Sequence, residues 1–239
     1  MWVVVLKQYN KRVNMKVIFL GYRQWSLKVF DNVKNHKKIS KFFLCQSSED
    51  LKVELIEDYD LLITCGWSEE LGKKISSKIK SIGVHCAQLD RYSYGTPIQN
   101  QIIDGITMTK HRIFDFIYDK NSNRAHTHNR LYSHEVDLDL SGNMDNILKQ
   151  MTETSIILFN QFLNDYPKID WKMWPEENIV RKKRVPIDSK ISKDIFLNMN
   201  TLEMYNFFRC LELPYPNGYF EDKNGKFFIE KVRYEKKNN

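Results

Sequence analysis

Short apolar runs alternate with amphipathic stretches over the first part of the chain. The run 16–20 (KVIFL) ends at Gly21 and predicts a buried strand followed by a turn. From Trp25 to Val33, apolar residues at 25, 29, 30 and 33 mark one face of a helix. Residues 42–45 (FFLC) predict a second strand, and Ser48 ahead of Leu51, Val53, Leu55 and Ile56 a short capped helix. Residues 60–65 (DLLITC) predict a third strand stopped by Gly66, 69–79 a helix, and 82–86 a fourth strand. Strands separated by helices predict parallel pairing through right-handed crossovers.

The pattern then loosens. Residues 96–105 predict a helix, with Pro97 in its first turn and Gly105 just past its end. Strands are expected at 113–118 and 131–140, and the longest helical pattern covers 143–164. Beyond Pro167 the chain reads as irregular, with Trp171, Trp174 and Pro175 in a loop. A helix at 201–211 and a hairpin within 218–234, turning at Asn224-Gly225, close the chain. The expected fold is α/β: a Rossmann-like open, mostly parallel sheet with helices on both faces, plus a small C-terminal helix and β-hairpin extension. The expected division is an N-terminal extension at 1–14, ahead of a second Met at 15, an α/β domain at 15–165, and a C-terminal extension at 166–239. Residues 2–6 have the alternative reading of an added edge strand.

Composition narrows the classes. A chain of 239 residues with 42% apolar residues builds its own core and needs neither disulfide nor metal to fold. No apolar run approaches the ~18 residues of a membrane span. The four cysteines form no C-x-x-C pair, and no apolar leader precedes the pattern, so a reducing, cytoplasmic setting without a metal is expected. The formal charge of +7 favours anionic partners. Much of it stands in the short runs 37–38, 181–184 and 236–237, which read as solvated surface. Nucleic-acid binding through 181–184 ranks last, because the run is short and lacks aromatic interleaving.

In an open α/β sheet, ligands bind beyond the carboxyl ends of the strands. That rule selects Gly21-Tyr22-Arg23-Gln24-Trp25, Gly66-Trp67-Ser68 and His85. The dinucleotide fingerprint G-x-G-x-x-G and the phosphate loop G-x-x-x-x-G-K-[ST] are both absent. Residues 85–105 are the densest candidate: a strand end, a polar and aromatic loop, then a helix start. His85 has two readings there, a proton shuttle or a buried ring satisfied by backbone. His126 and His128 share a face if they lie on a strand, but spacing places no third metal ligand. They read as a polar loop, or as contacts to a phosphorylated substrate.

The string His85…Tyr94-Gly95-Thr96-Pro97-Ile98-Gln99-Asn100-Gln101-Ile102-Ile103-Asp104-Gly105 resembles the formyltransferases that use 10-formyltetrahydrofolate. Gly21-Tyr22-Arg23-x-Trp25 and Gly66-Trp67-Ser68 are similar to segments of their sugar-modifying members. The resemblance implies attack of an amine on a formyl carbon, needing a proton acceptor and support for an oxyanion. It implies an N-formyltransferase acting on a nucleotide-linked amino sugar, such as a dTDP-4-amino-4,6-dideoxy sugar of surface polysaccharide (lipopolysaccharide O-antigen) synthesis. It assigns His85, Asp119 and Asn100 to catalysis, and Trp67, Cys86, Gln88 and Asn121 to 10-formyltetrahydrofolate. Tyr22, Arg23, Tyr94, Thr96, Gln99 and His128 are assigned to the sugar substrate, with no metal, no nucleic acid, no membrane and a possible homodimer. The family places an Asn two residues before its strand-end His; here that residue is Gly83. The alternative is therefore a family member that binds a nucleotide sugar or a partner without transferring formyl.

Overall fold

The computed structural model describes residues 14–52, 56–69, 75, 77–92, 95–118, 125–175 and 178–237, with 117–118 and 125–129 described by backbone alone. Met15–Leu20 (β1) runs through the parallel half of a seven-stranded sheet, and its residues Val17, Ile18, Phe19 and Leu20 are fully buried. A strand apolar on both sides needs cover on both faces of its sheet. β1 pairs in parallel with Ile39–Cys45 (β2) and Leu61–Thr64 (β3), and β3 in parallel with Lys80–Cys86 (β4). Gln24–Val33 (α1) links β1 to β2 and buries Trp25, Ser26, Val29 and Val33.

Leu89–Tyr92 (α2) and Pro97–Ile103 (α3) follow β4, and the sheet then changes direction. Met108–Tyr118 (β5), Ala125–Asp139 (β6) and Trp171–Met173 (β7) add antiparallel strands, giving the order β2-β1-β3-β4-β5-β6-β7. The sheet is therefore mixed, parallel in one half and antiparallel in the other. Only six residues separate β5 from β6, and a parallel crossover needs a dozen or more. Met144–Asp165 (α4) packs on α1, β5 and β6, and its cap Asn143 accepts a hydrogen bond from the Asn146 amide.

The irregular stretch expected after Pro167 contains β7, whose Trp171, Lys172 and Met173 pair with Tyr132, Leu131 and Arg130. Three residues are too few to show an alternation, so only the pairing with β6 defines this strand. Ser48–Asp50 is a single 3-10 turn. The helix expected at 69–79 lies mostly outside the described residues, as do 2–6. At the C-terminus, Lys193–Asn198 (α5) and Thr201–Arg209 (α6) precede the hairpin Gly218–Asp222 (β8) and Gly225–Ile229 (β9). Asp222 faces Gly225, so the turn is Lys223-Asn224, one residue earlier than expected.

These late elements close the same core as the sheet. Phe207, Phe208 and Leu211 join one cluster with Phe19, Val29 and Phe159. Arg209, 3% exposed, donates to the carbonyls of Leu140 at 2.6 Å and Gly142 at 2.9 Å. Buried Glu212 accepts from the Met144 amide at 3.1 Å. Together they satisfy the polar backbone at the corner between β6 and α4, which would otherwise be desolvated without partners.

One core residue carries a pH signature. Buried His111 on β5 places Nδ1 2.6 Å from the Thr154 hydroxyl, which itself donates to the Gln150 carbonyl. The hydroxyl has one proton, so His111 donates through Nδ1, and Nε2 is a bare acceptor without a partner. Burial, helped by the nearby charge of His85, lowers the His111 pKa from 6.5 to about 3. Between those values the unfolded chain binds a proton that the folded chain refuses, so stability falls as pH falls through this window. Urea denaturation should show a midpoint that drops between about pH 7 and pH 4.5, and His111→Leu should flatten that drop.

Candidate active site

The exits of β1, β3 and β4 lie along one rim of the sheet. At the first, a side chain on residue 21 would place its Cβ 2.6 Å from the Cys65 carbonyl oxygen and 2.8 Å from Ser26 Oγ. Only glycine lets the chain leave β1 this close to the end of β3. The next residues turn outward. The Tyr22 hydroxyl and Ser68 Oγ are 2.6 Å apart, and the Tyr22 and Trp67 rings meet edge-on at 5.8 Å. The Arg23 guanidinium sits 5.5 Å from the Tyr22 ring centre and 5.6 Å from that of Tyr215.

Tyr215 belongs to the C-terminal segment; its string Pro214-Tyr215-Pro216 is similar to one near the ends of formyltransferase chains, but the sequence assigned Tyr215 no place at this rim. Burial raises its phenol pKa, against the opposing influence of Arg23 and Gln99. Gln99 is 4% exposed, and its Nε2 lies by the Tyr215 hydroxyl without meeting hydrogen-bond geometry. Trp67 Nε1 is buried without an acceptor as well. Arg23 has no carboxylate partner among the described residues. Four residues assigned from sequence, Tyr22, Arg23, Trp67 and Gln99, thus gather at one rim around a cation and two unused N–H donors. Unsatisfied buried donors are costly and mark a place for an acceptor.

His85 leaves β4 on the other side of the sheet from Cys86, as the period of two along a strand requires. His85 is half-buried and edge-on to Phe114 at 6.2 Å and to Trp174 at 6.1 Å. Its cross-strand neighbour Arg112 donates Nε to Glu135 and Nη1 to the Ala87 carbonyl, holding the backbone just after His85. Cys86 faces the core with its thiol pKa pushed up by burial, and its carbonyl accepts a hydrogen bond from the buried Gln101 Nε2. Gln88 donates its amide N–H to Gln101 Oε1 at 3.0 Å.

Gly83 explains the missing Asn. A Cβ here would lie 2.5 Å from the Thr64 hydroxyl and 2.6 Å from the Phe114 ring. The room an Asn side chain would use is filled by Phe114 of β5, whose cross-strand partner is Gly83 itself.

Asn100 and Thr96 serve a strap rather than the rim. The chain at 178–184 runs along α2 and α3: the amides of Asn178 and Val180 bond to the carbonyls of Asp90 and Arg91. Arg181 forks onto Asp104, Asn100 donates to the Lys182 carbonyl, and the Arg184 amide donates to Thr96 Oγ1. Burial works against the Asp104 charge, yet the bonds from Arg181 and Tyr92 hold its carboxyl below the usual range. Thr96 holds φ at +28°, a strained value for a β-branched residue. The basic run 181–184 is thus bound to the protein's own helices. Tyr94, Asp119 and Asn121 lie outside the described residues; His128 is in β6 by backbone, and its side chain lies outside them. Among the described residues no three His, Cys, Asp or Glu side chains gather as a metal site, and no helix is long and apolar enough to cross a membrane.

No model of a known protein family matches the chain, and no curated protein matches it. Solved structures do. A methionyl-tRNA formyltransferase from Clostridium thermocellum superposes with a TM-score of 0.76 at 18% identity, over 92% of this chain and 94% of that one. A sugar N-formyltransferase from Shewanella sp. gives 0.72 at 12% identity, over 93% and 99%. HypX from Aquifex aeolicus, in complex with tetrahydrofolic acid, gives 0.67 at 13% identity, over 87% of this chain and 36% of its own. The chain has the formyltransferase fold, with a seven-stranded mixed sheet and a C-terminal hairpin.

The Gly83 contact yields a paired prediction. Gly83→Asn should destabilise by about 1–3 kcal/mol through overpacking, and Phe114→Ala by about 3–5 kcal/mol through the cavity it leaves. The double variant should be less destabilised than the sum by about 1 kcal/mol or more, because one change makes room for the other. Chemical denaturation of the four proteins measures the coupling; strict additivity would mean that the two side chains do not compete for one space.

Proposed function

We propose that this protein is an N-formyltransferase moving a formyl group from 10-formyltetrahydrofolate to the amine of a nucleotide-linked amino sugar. One observation carries the reading: Arg23, over the rings of Tyr22 and Tyr215 and without a carboxylate partner among the described residues, shares those two aromatic neighbours with Trp67 and Gln99, whose N–H groups have no acceptor. A diphosphate takes a guanidinium and N–H donors, while a base or sugar ring takes the flanking aromatic faces. The rim beyond the carboxyl ends of parallel strands is where this class of sheet receives ligands.

The folate side fits as well. His85 stands edge-on to Phe114 and Trp174, which pack with Tyr92 and Leu131 in an apolar cluster, and we assign the flat pteridine to the aromatic edge beside His85. A bound formyl donor supplies the activated one-carbon group. In this reading His85 accepts the proton released by the attacking amine. Asp119 and Asn121 belong to the same centre, Tyr94 and His128 to the substrate side, and Gln88 and Cys86 contribute through their backbones. Asn100 and Thr96 position the helix start through the strap.

A second reading, ligand binding without transfer, is favoured by Phe114 filling the space of an Asn at position 83. The two separate in one experiment. The protein is incubated with 10-formyltetrahydrofolate and a panel of dTDP-, UDP- and GDP-amino sugars, with mass spectrometry for gain of one formyl group. Formyl transfer is expected, with His85→Ala lowering turnover by about 10²-fold or more. Arg23→Ala should raise KM about tenfold and leave kcat nearly unchanged, as loss of a ground-state ionic contact does. Binding of a nucleotide sugar without product would establish the second reading, and absence of both would dismiss the two together.

A further inference from the structure

The strap touches α3 at its start, its middle and its end. Arg181 forks onto Asp104, which closes the helix and also accepts from the Tyr92 hydroxyl of α2 at 2.8 Å. Asn100 donates to the Lys182 carbonyl at 3.1 Å, and the Arg184 amide donates to Thr96 Oγ1 at 3.1 Å. α3 has seven residues. A helix this short is unstable by itself, so contacts of this kind set where it stands.

The start of α3 departs from the usual cap. A Thr at the N-cap ordinarily takes an extended conformation and turns its hydroxyl onto an amide of the first turn. Thr96 does neither: φ is +28° and ψ is 48°, and its side chain makes no bond to the helix. Its oxygen accepts from the Arg184 amide instead. Gly95 is left-handed as well, with φ at +45°, and the Lys183 side chain fills the space a Cβ there would need. The strap thus holds Thr96 in a conformation that a β-branched residue avoids. Once released, Thr96 has the ordinary extended cap as its alternative, bonded to the amide of Ile98 or Gln99. Gln99 is the residue whose side-chain amide lies by the Tyr215 hydroxyl at the rim.

We infer that Arg181 and Asp104 are positioning residues for Gln99: by clamping the strap they keep α3 in its left-handed start, the arrangement in which the rim takes a nucleoside diphosphate most tightly. This rests on the rim being the nucleotide-sugar site. Coupling between two sites is reciprocal, so a ligand at the rim also closes the strap.

The strap carries its own reporter, because Lys182 and Lys183 are exposed and are trypsin sites. Limited proteolysis of the full chain, read by mass spectrometry, measures strap opening, and calorimetry measures binding of dTDP, UDP and GDP. In the unaltered protein, the nucleotide that binds should slow cleavage after 182 and 183 by about fivefold or more. Arg181→Ala should speed that cleavage without ligand and weaken binding by about fivefold or more. Adding Thr96→Gly to Arg181→Ala should recover most of the lost affinity, since glycine adopts the left-handed turn without strain. A merely structural loss would not be repaired at residue 96. Binding that leaves the strap unprotected, unchanged affinity in Arg181→Ala, or a double variant no better than the single would overturn the inference and leave the rim as the binding site. Failure of the unaltered protein to bind any of the three nucleotides would overturn the inference together with the reading of the rim.

Discussion

The site is held together by one buried amide. Gln101 of α3 has no exposed surface, and its side chain bonds to four groups. Its Oε1 accepts from the Gln88 amide and the Thr109 hydroxyl, and its Nε2 donates to the carbonyls of Cys86 and Pro97. These partners lie at the end of β4, in the loop after it, at the start of α3 and on β5. Each bond contributes about 0.5–1.5 kcal/mol, and leaving any of these groups buried and unpaired costs about 1–3 kcal/mol. The backbone carrying His85 and the helix carrying Gln99 therefore cannot move independently. The rim cluster inherits its geometry from this constraint, because Gln99 is set two residues before Gln101 on the same short helix.

The C-terminal segment completes what the sheet begins. It supplies Tyr215 to the rim, lays the strap 178–184 along α2 and α3, and closes the β6–α4 corner with Arg209 and Glu212. Two of the four basic residues at 181–184 are engaged internally: Arg181 forks onto Asp104, and Arg184 bonds to the Asp188 carbonyl. A run that reads in sequence as solvated surface thus spends two of its four cations on contacts within the protein. Arg23, by contrast, stands alone in sequence and at the rim has two aromatic neighbours and no carboxylate partner among the described residues.

The Gly83–Phe114 contact bears on chemistry as much as on packing. A β-sheet places cross-strand partners on one face, so a change at one position of β4 is answered at the facing position of β5. With Phe114 over Gly83, the wall behind His85 is aromatic instead of hydrogen-bonding. In the proposed transfer, support for a developing oxyanion would have to come from another group, and this is the feature on which transfer and simple binding part.

Local pattern alone determined β1, α1, β2, β3, β4, α3, α4, α6 and the hairpin, because apolar periodicity and Gly or Pro punctuation are properties of neighbouring residues. It also marked Tyr22, Arg23, Trp67 and His85, because strand exits are local and ligands collect there, whereas Gln99 came only with the family resemblance. Strand direction after β4, the three-residue β7, the arrival of Tyr215 and the docking of the strap depend on residues far apart in the chain. So does the filling of the space over Gly83, where a missing side chain is visible in sequence but the ring that replaces it is not. Those features follow from which surfaces meet once the chain is compact, and only the tertiary structure holds that information.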